Sequence, residues 1–196
     1  MLTASNISSL VIDHLDEQVY DPNIAVAGLY CDYNAQEQST TNMLGAILIQ
    51  LFPGDGTREP AQQAFRRAQL GGRAAKLSDL IKILKATIAL LQRVFICIDA
   101  LDECPPEIRL ELLESLQGIV SASPKTTRVF LTGRPHVRDE VTQYFPEAMM
   151  TLITPTPRDI ELYLEMRLGR DPTPAAMDEG FRAKIMEVIP KKISPM

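Results

Sequence analysis

The chain has 196 residues, 45% hydrophobic and 23% charged, with a formal net charge of −5. That length and apolar share suit one domain with a sizeable core, or one plus the start of another, and the acidic balance argues against a general binder of nucleic acid or anionic membranes. Three cysteines, Cys31, Cys97 and Cys104, form an odd number without framework spacing, which points to reduced thiols in a cytoplasmic protein. The expectation is therefore a soluble chain with neither a signal peptide nor a membrane span.

Taken in order, the apolar spacing predicts a helix over 7–19 and a strand within "NIAVAGLYCDY" (23–33). A helix over 39–52 and a turn-rich surface loop over 52–60 come next. Leu77, Leu80, Ile81, Leu84, Ile88 and Leu91 then keep one helical face that leads into "RVFICID" (93–99), a second strand. Pro105 and Pro106 open a further helix, since proline suits the first turn, where its missing N–H would have no partner. Leu112, Leu113, Leu116, Ile119 and Val120 form the buried stripe of that helix. Strands are expected at "TRVFLTG" (127–133) and "AMMTLIT" (148–154). Thr156 and Asp159 have the spacing of a capping box for a helix buried through Ile160, Tyr163, Leu164 and Leu168. A loop at 170–174 precedes a last helix at 177–189.

None of the four strands alternates cleanly, and continuous apolarity is what a parallel strand shows when helices cover both sheet faces. The alternation predicts an α/β fold with a largely parallel sheet, domain one at 1–154 and the beginning of a helical subdomain at 155–196.

The chemistry gathers where the second strand ends, at Asp99, followed by Asp102 and Glu103. Ligands of open parallel sheets bind beyond the carboxyl ends of the strands. A carboxylate there suits Mg²⁺, which is held by one or two carboxylates plus substrate phosphates. Asp99 is expected at the sheet's rim, open toward an anion pocket, with the next two acids near enough to orient a water. The bland alternative is that Asp102 and Glu103 charge the N-terminus of the following helix. Cys97 reads as core, Tyr30 and Tyr33 as covers for their strand, and Lys191 and Lys192 as a solvated end.

The segment "VFICIDALDE" resembles the Walker B motif of NACHT domains, which belong to the STAND class of P-loop NTPases. "RVFLTGRPH" (128–136) is similar to the sensor strand of that family, with its Arg-Pro pair. "VAGLYCDYNAQEQSTTNMLGAILIQLF" (26–52) and "PTPRDIELYLEMRL" (155–168) resemble the second strand with its helix, and the opening of the lid, in fungal nephrocystin-like members. The resemblance covers roughly residues 5–190. It implies a three-layer P-loop NTPase-like parallel sheet with flanking helices and the start of a helical lid. It implies Mg²⁺ with ATP or GTP as cofactor, Asp99 as the metal ligand, Asp102 and Glu103 as polarisers of the attacking water, and Arg134 as the phosphate sensor. Neither His14 nor His136 matches the family's lid histidine.

The family's Gly-rich turn ending in Gly-Lys-Ser/Thr, which cradles and neutralises phosphates, has no counterpart in these 196 residues. At its place stand only Ala4 and Ser5. The resemblance is thus to a member truncated at both ends, missing the P-loop strand and impaired in hydrolysis, with open sheet edges that favour association with itself or other NACHT chains. Two functions follow as expectations: a nucleotide-binding signalling switch, or a non-catalytic remnant acting through protein contacts. A phosphohydrolase working without a P-loop would need a second ligand set that the sequence lacks.

Overall fold

The computed structural model describes residues 4–18, 21–33, 38–51, 76–170 and 178–193. The chain divides into two compact units, one spanning Ala4–Met149 and the other beginning at Met150.

In the first unit the elements run α1 (Ala4–Gln18), β1 (Ile24–Tyr30), α2 (Thr40–Gln50), α3 (Leu77–Ile88), β2 (Arg93–Asp99), α4 (Pro106–Ala122), β3 (Thr127–Leu131) and α5 (Arg138–Tyr144). Short 3₁₀ turns at Leu101–Glu103 and Pro135–Val137 connect them. All three strands are parallel, in the order β1-β2-β3. The register sets Ala25 beside Val94, Ala27 beside Ile96, and Ile96 beside Val129. These residues therefore share one sheet face. There Ala25, Ala27, Val94, Ile96 and Ile98 join Leu44, Leu48, Leu84, Leu112 and Leu116 of α2, α3 and α4 in a single core. The opposite face carries Gly28, Cys97 and Asp99, and it meets α1. A Cβ on Gly28 would lie 3.0 Å from Cδ1 of Ile12, so glycine lets that helix sit close to the strand.

Helix starts follow local chemistry. The Ser39 hydroxyl accepts from the Asn42 N–H at 3.2 Å and caps α2. Pro105 occupies the N-cap of α4 and Pro106 its first turn. The second unit contains α6 (Pro157–Gly169) and α7 (Glu179–Ile193). Thr156 and Asp159 form the expected capping box, with Pro157 at the first position of α6, and Ile160 and Leu164 are buried.

One predicted strand does not form. Residues 149–156 carry no regular structure, and Met149, Leu152 and Ile153 are 96%, 73% and 60% exposed. A strand is completed by ladder hydrogen bonds, and among the described residues β3 pairs with β2 alone. Apolar composition without a neighbouring ladder leaves this segment as coil. Tyr30 and Tyr33 also depart from expectation, both being exposed. Tyr30 falls at the end of β1 and Tyr33 beyond it, where there is no sheet left to cover. Cys97 is buried as expected. The loop at 52–60 and all but the first residue of the loop at 170–174 lie outside the described residues. Among the described residues no helix is long and apolar enough to cross a membrane.

The outer rim of β1 is closed by a side chain. Gly28 donates its N–H to Gln50 Oε1 and accepts from Gln50 Nε2, both at 2.9 Å. The amide imitates one residue of a neighbouring strand and occupies the backbone groups that would otherwise recruit another chain. Gln50→Ala should destabilise the protein by about 0.5–1.5 kcal/mol in urea unfolding, whereas Ile49→Ala, on the exposed side of α2, should change stability by less than about 0.5 kcal/mol.

Candidate functional site

The carboxyl ends of β2 and β3 bring together Asp99, Asp102, Glu103 and Arg134. Asp99 ends β2. It is at the sheet's edge but is 2% exposed, so its side chain does not open onto a pocket as expected. Its Oδ1 accepts from the hydroxyls of Ser8 and Thr132, each at 2.5 Å. A buried carboxylate is tolerable only with such partners, and hydrogen bonds to an ionised acceptor are the short, strong kind. Three separate elements thus converge on one oxygen atom: α1, β2 and the residue after β3. The Thr132 oxygen in turn accepts from the Ala100 N–H at 3.1 Å.

The chain then turns sharply. Ala100 has φ 54° and ψ 45°, a left-handed conformation costing an alanine roughly 1–2 kcal/mol. Leu101, fully buried, donates its N–H to the Thr132 carbonyl at 2.9 Å and anchors the turn. That anchoring aims Asp102 toward the loop after β3. Its Oδ1 accepts from the Arg134 N–H at 3.1 Å, and its Oδ2 lies 3.3 Å from Arg134 Nε. A Cβ at Gly133 would meet Val137 Cγ2 at 3.0 Å and Asp102 Oδ1 at 3.5 Å, so this close approach depends on glycine. The Arg134 side chain is 75% exposed and that of Asp102 only 8%. Glu103 Oε2 accepts from the Tyr33 N–H at 3.3 Å, tying the turn to the segment after β1.

Residues that the sequence did not single out hold this turn from behind. Arg109 is buried in the first turns of α4. Its Nε and Nη2 bond both oxygens of Glu140 on α5 at 2.5 and 2.8 Å. Its Nη1 donates to the Cys104 carbonyl at 2.8 Å. Hydrogen bonding to Arg109, reinforced by its charge, holds the Glu140 carboxyl below the usual carboxylate range. Of the polar partners of Asp99, Thr132 had a readable signal, because it stands one place beyond Leu131, the register neighbour of Ile98. Ser8 is one of three serines in α1, and nothing in the sequence distinguishes it. His14 and His136 are both exposed, and Lys191 is paired with Glu187 at 2.9 Å on an exposed face.

No group of three or more His, Cys, Asp or Glu able to hold a metal ion occurs among the described residues. The edge offers one carboxylate flanked by two hydroxyls. That set does not make a self-contained metal cage. By donor type it matches the protein's share of a Mg²⁺–phosphate site, in which water and phosphate oxygens supply the other ligands, although Asp99 itself is 2% exposed.

A small parallel sheet flanked by helices, with polar side chains gathered at the carboxyl ends of adjacent strands, defines an α/β domain compatible with the P-loop class. The chain belongs to the nephrocystin 3, N-terminal family: that family's model matches residues 4–134, or 131 of 196. The match marks a NACHT-like region and contains Asp99, Asp102, Glu103 and Arg134. No curated protein matches the chain.

Two outcomes test this geometry. Glycine lacks the left-handed penalty, so Ala100→Gly should raise stability by roughly 0.5–1 kcal/mol in denaturant unfolding. Glu140→Gln should cost about 1–3 kcal/mol at pH 7. Because Glu140 titrates lower when folded, its contribution is complete above the ordinary value of 4.5 and is lost as pH falls through the lowered one. The gap between the two proteins, measured by urea unfolding across pH 7 to 3, should therefore narrow toward acid.

Proposed function

We propose that this chain is part of a NACHT-type, nucleotide-responsive signalling switch of the fungal nephrocystin-like, STAND kind. Residues 1–154 would form the nucleotide-facing α/β domain and 155–196 the beginning of its helical lid. The observation that carries the reading is the buried carboxylate of Asp99, gripped by hydroxyls from α1 and from the end of the neighbouring parallel strand. The same two hydrogen bonds join α1 and the exit of β3 to the central strand, so the carboxylate has a structural role as well. A carboxylate meant to face a hard cation has to be held in place, and the two hydroxyls do that.

On this reading Asp99 holds Mg²⁺ through water, and the ion, when bound, supplies charge neutralisation for the phosphates. Asp102 and Glu103 occupy the acidic positions that orient water, and Arg134 senses the terminal phosphate. The Asp102–Arg134 pair acts as the resting state of that sensor. The Arg134 side chain is 75% exposed, so it can swing toward a phosphate while Asp102, 8% exposed, keeps its bond to the Arg134 N–H. These 196 residues contain no Gly-Lys-Ser/Thr turn, so weak binding and no hydrolysis are expected of this stretch alone. Self-association or pairing with other NACHT chains would carry the signal.

A second reading, a non-catalytic interaction module, is favoured by one observation. Both Asp102 and Glu103 are already engaged by groups of the same chain.

Calorimetric titration and thermal shift with Mg-ATP and Mg-GTP separate the two. The switch reading expects measurable binding at millimolar nucleotide that requires Mg²⁺ and is lost in Asp99→Asn, with Arg134→Ala weakening it several-fold. Neither heat nor a melting shift in the folded wild-type chain would leave the interaction reading in its place.

A further inference from the structure

Behind the acidic turn, on the core face of the sheet, two sulfurs meet. Cys31 follows β1 and donates its N–H to the Asp99 carbonyl at 3.0 Å. Cys104 closes the 3₁₀ turn that carries Asp102 and Glu103. The two Sγ atoms are 3.0 Å apart although the residues are 73 positions apart in sequence. Neither is in a disulfide, and both are buried. This contact is not the incidental packing of two small apolar side chains. Arg109 clamps the Cys104 carbonyl, Cys31 is fixed by its bond to the strand, and the Gln38 amide oxygen stands 3.8 Å from the Cys104 sulfur.

We propose that Cys31 and Cys104 are a peroxide-sensitive modification site, a dithiol that closes to an intrachain disulfide and so locks the end of β1 to the acidic turn. The two sulfurs differ in character. The contact between the two sulfurs, helped by the nearby charge of Arg109, holds the Cys104 thiol below its ordinary value, while that contact and burial push Cys31 up. Cys104 is thus the attacking sulfur and Cys31 the resolving one.

The chemistry balances with a hydroperoxide as oxidant. The Cys104 thiolate attacks the peroxide oxygen, the O–O bond breaks, and the departing hydroxide takes a proton to leave as water. The resulting sulfenic acid is attacked by the Cys31 sulfur. The S–S bond forms, the S–O bond breaks, and the Cys31 proton leaves with the hydroxyl as a second water. Two thiols are oxidised by two electrons and one peroxide is reduced. Burial shields the pair from bulky disulfide oxidants and favours a small one.

The location gives the modification a consequence. Glu103 already touches the backbone just after Cys31 through the Tyr33 N–H. A covalent link would turn that weak tie into a fixed one, holding the turn that presents Asp102 to Arg134.

The test is to treat the reduced full chain with hydrogen peroxide, alkylate under denaturing conditions, and map peptides without reduction. The expected product is a monomer with a Cys31–Cys104 linkage and Cys97 as the single alkylated thiol, reversed by dithiothreitol. Closing so long a loop should raise Tm by about 5–10 °C. Cys97→Ser should behave like the wild type, whereas Cys31→Ser should leave Cys104 trapped as a sulfenic acid detectable with dimedone. Three alkylatable thiols after treatment, a linkage through Cys97, or an intermolecular dimer would each overturn the proposal. The wild-type peptide map decides the matter even if a variant fails to fold.

Discussion

One oxygen atom organises the first unit. Oδ1 of Asp99 accepts from Ser8 and Thr132, and through that single acceptor α1, the central strand and the exit of β3 are bound to one another. A charge removed from water has to be compensated locally, and removing a partner costs far more than the pair contributes over an apolar replacement. That asymmetry makes the register of the strands and the depth of α1 hard to change independently. It also fixes the exit of β3 to the central strand: Thr132 is engaged by its side chain, by its carbonyl to Leu101 and by its N–H to Ile98.

Around this point the chain arranges a hierarchy of rigidity. Deepest are the apolar residues of α2, α3 and α4 against the β1 and β2 face. Next comes the turn after Asp99, kept in an unfavourable left-handed conformation at Ala100 by the buried Leu101. Strain of this kind persists only where the surroundings over-determine it, and the Arg109 fork to Glu140 and Cys104 supplies that support. Outermost is Arg134, whose side chain is mostly in solvent. The order runs from immobile core to solvent-exposed cation over a few residues.

Much of this was legible beforehand, and the reason is local. Continuous apolar runs at 93–99 and 127–131 gave true strands because each has a neighbour in register. The Pro105–Pro106 and Thr156–Asp159 signals are complete within one helical turn. The acids 99, 102 and 103 could be placed because a strand ends at a definite residue. The failures are all non-local. Residues 148–154 have a strand's composition but no ladder to join. Nothing in the sequence of Ser8 says that it will reach a carboxylate 91 positions away, nor that Arg109 will meet Glu140. Tyr30 and Tyr33 have the composition of strand covers, but the sheet surface stops short of them.

Gln50 has an implication beyond the hydrogen bonds it makes. With its amide seated on Gly28, Gln50 fills one ladder position on that flank of the sheet, so a strand joining beside β1 would first have to displace a side chain of the same chain. A neutral side chain on a helix thus does for one residue of an edge strand what a neighbouring backbone would otherwise do.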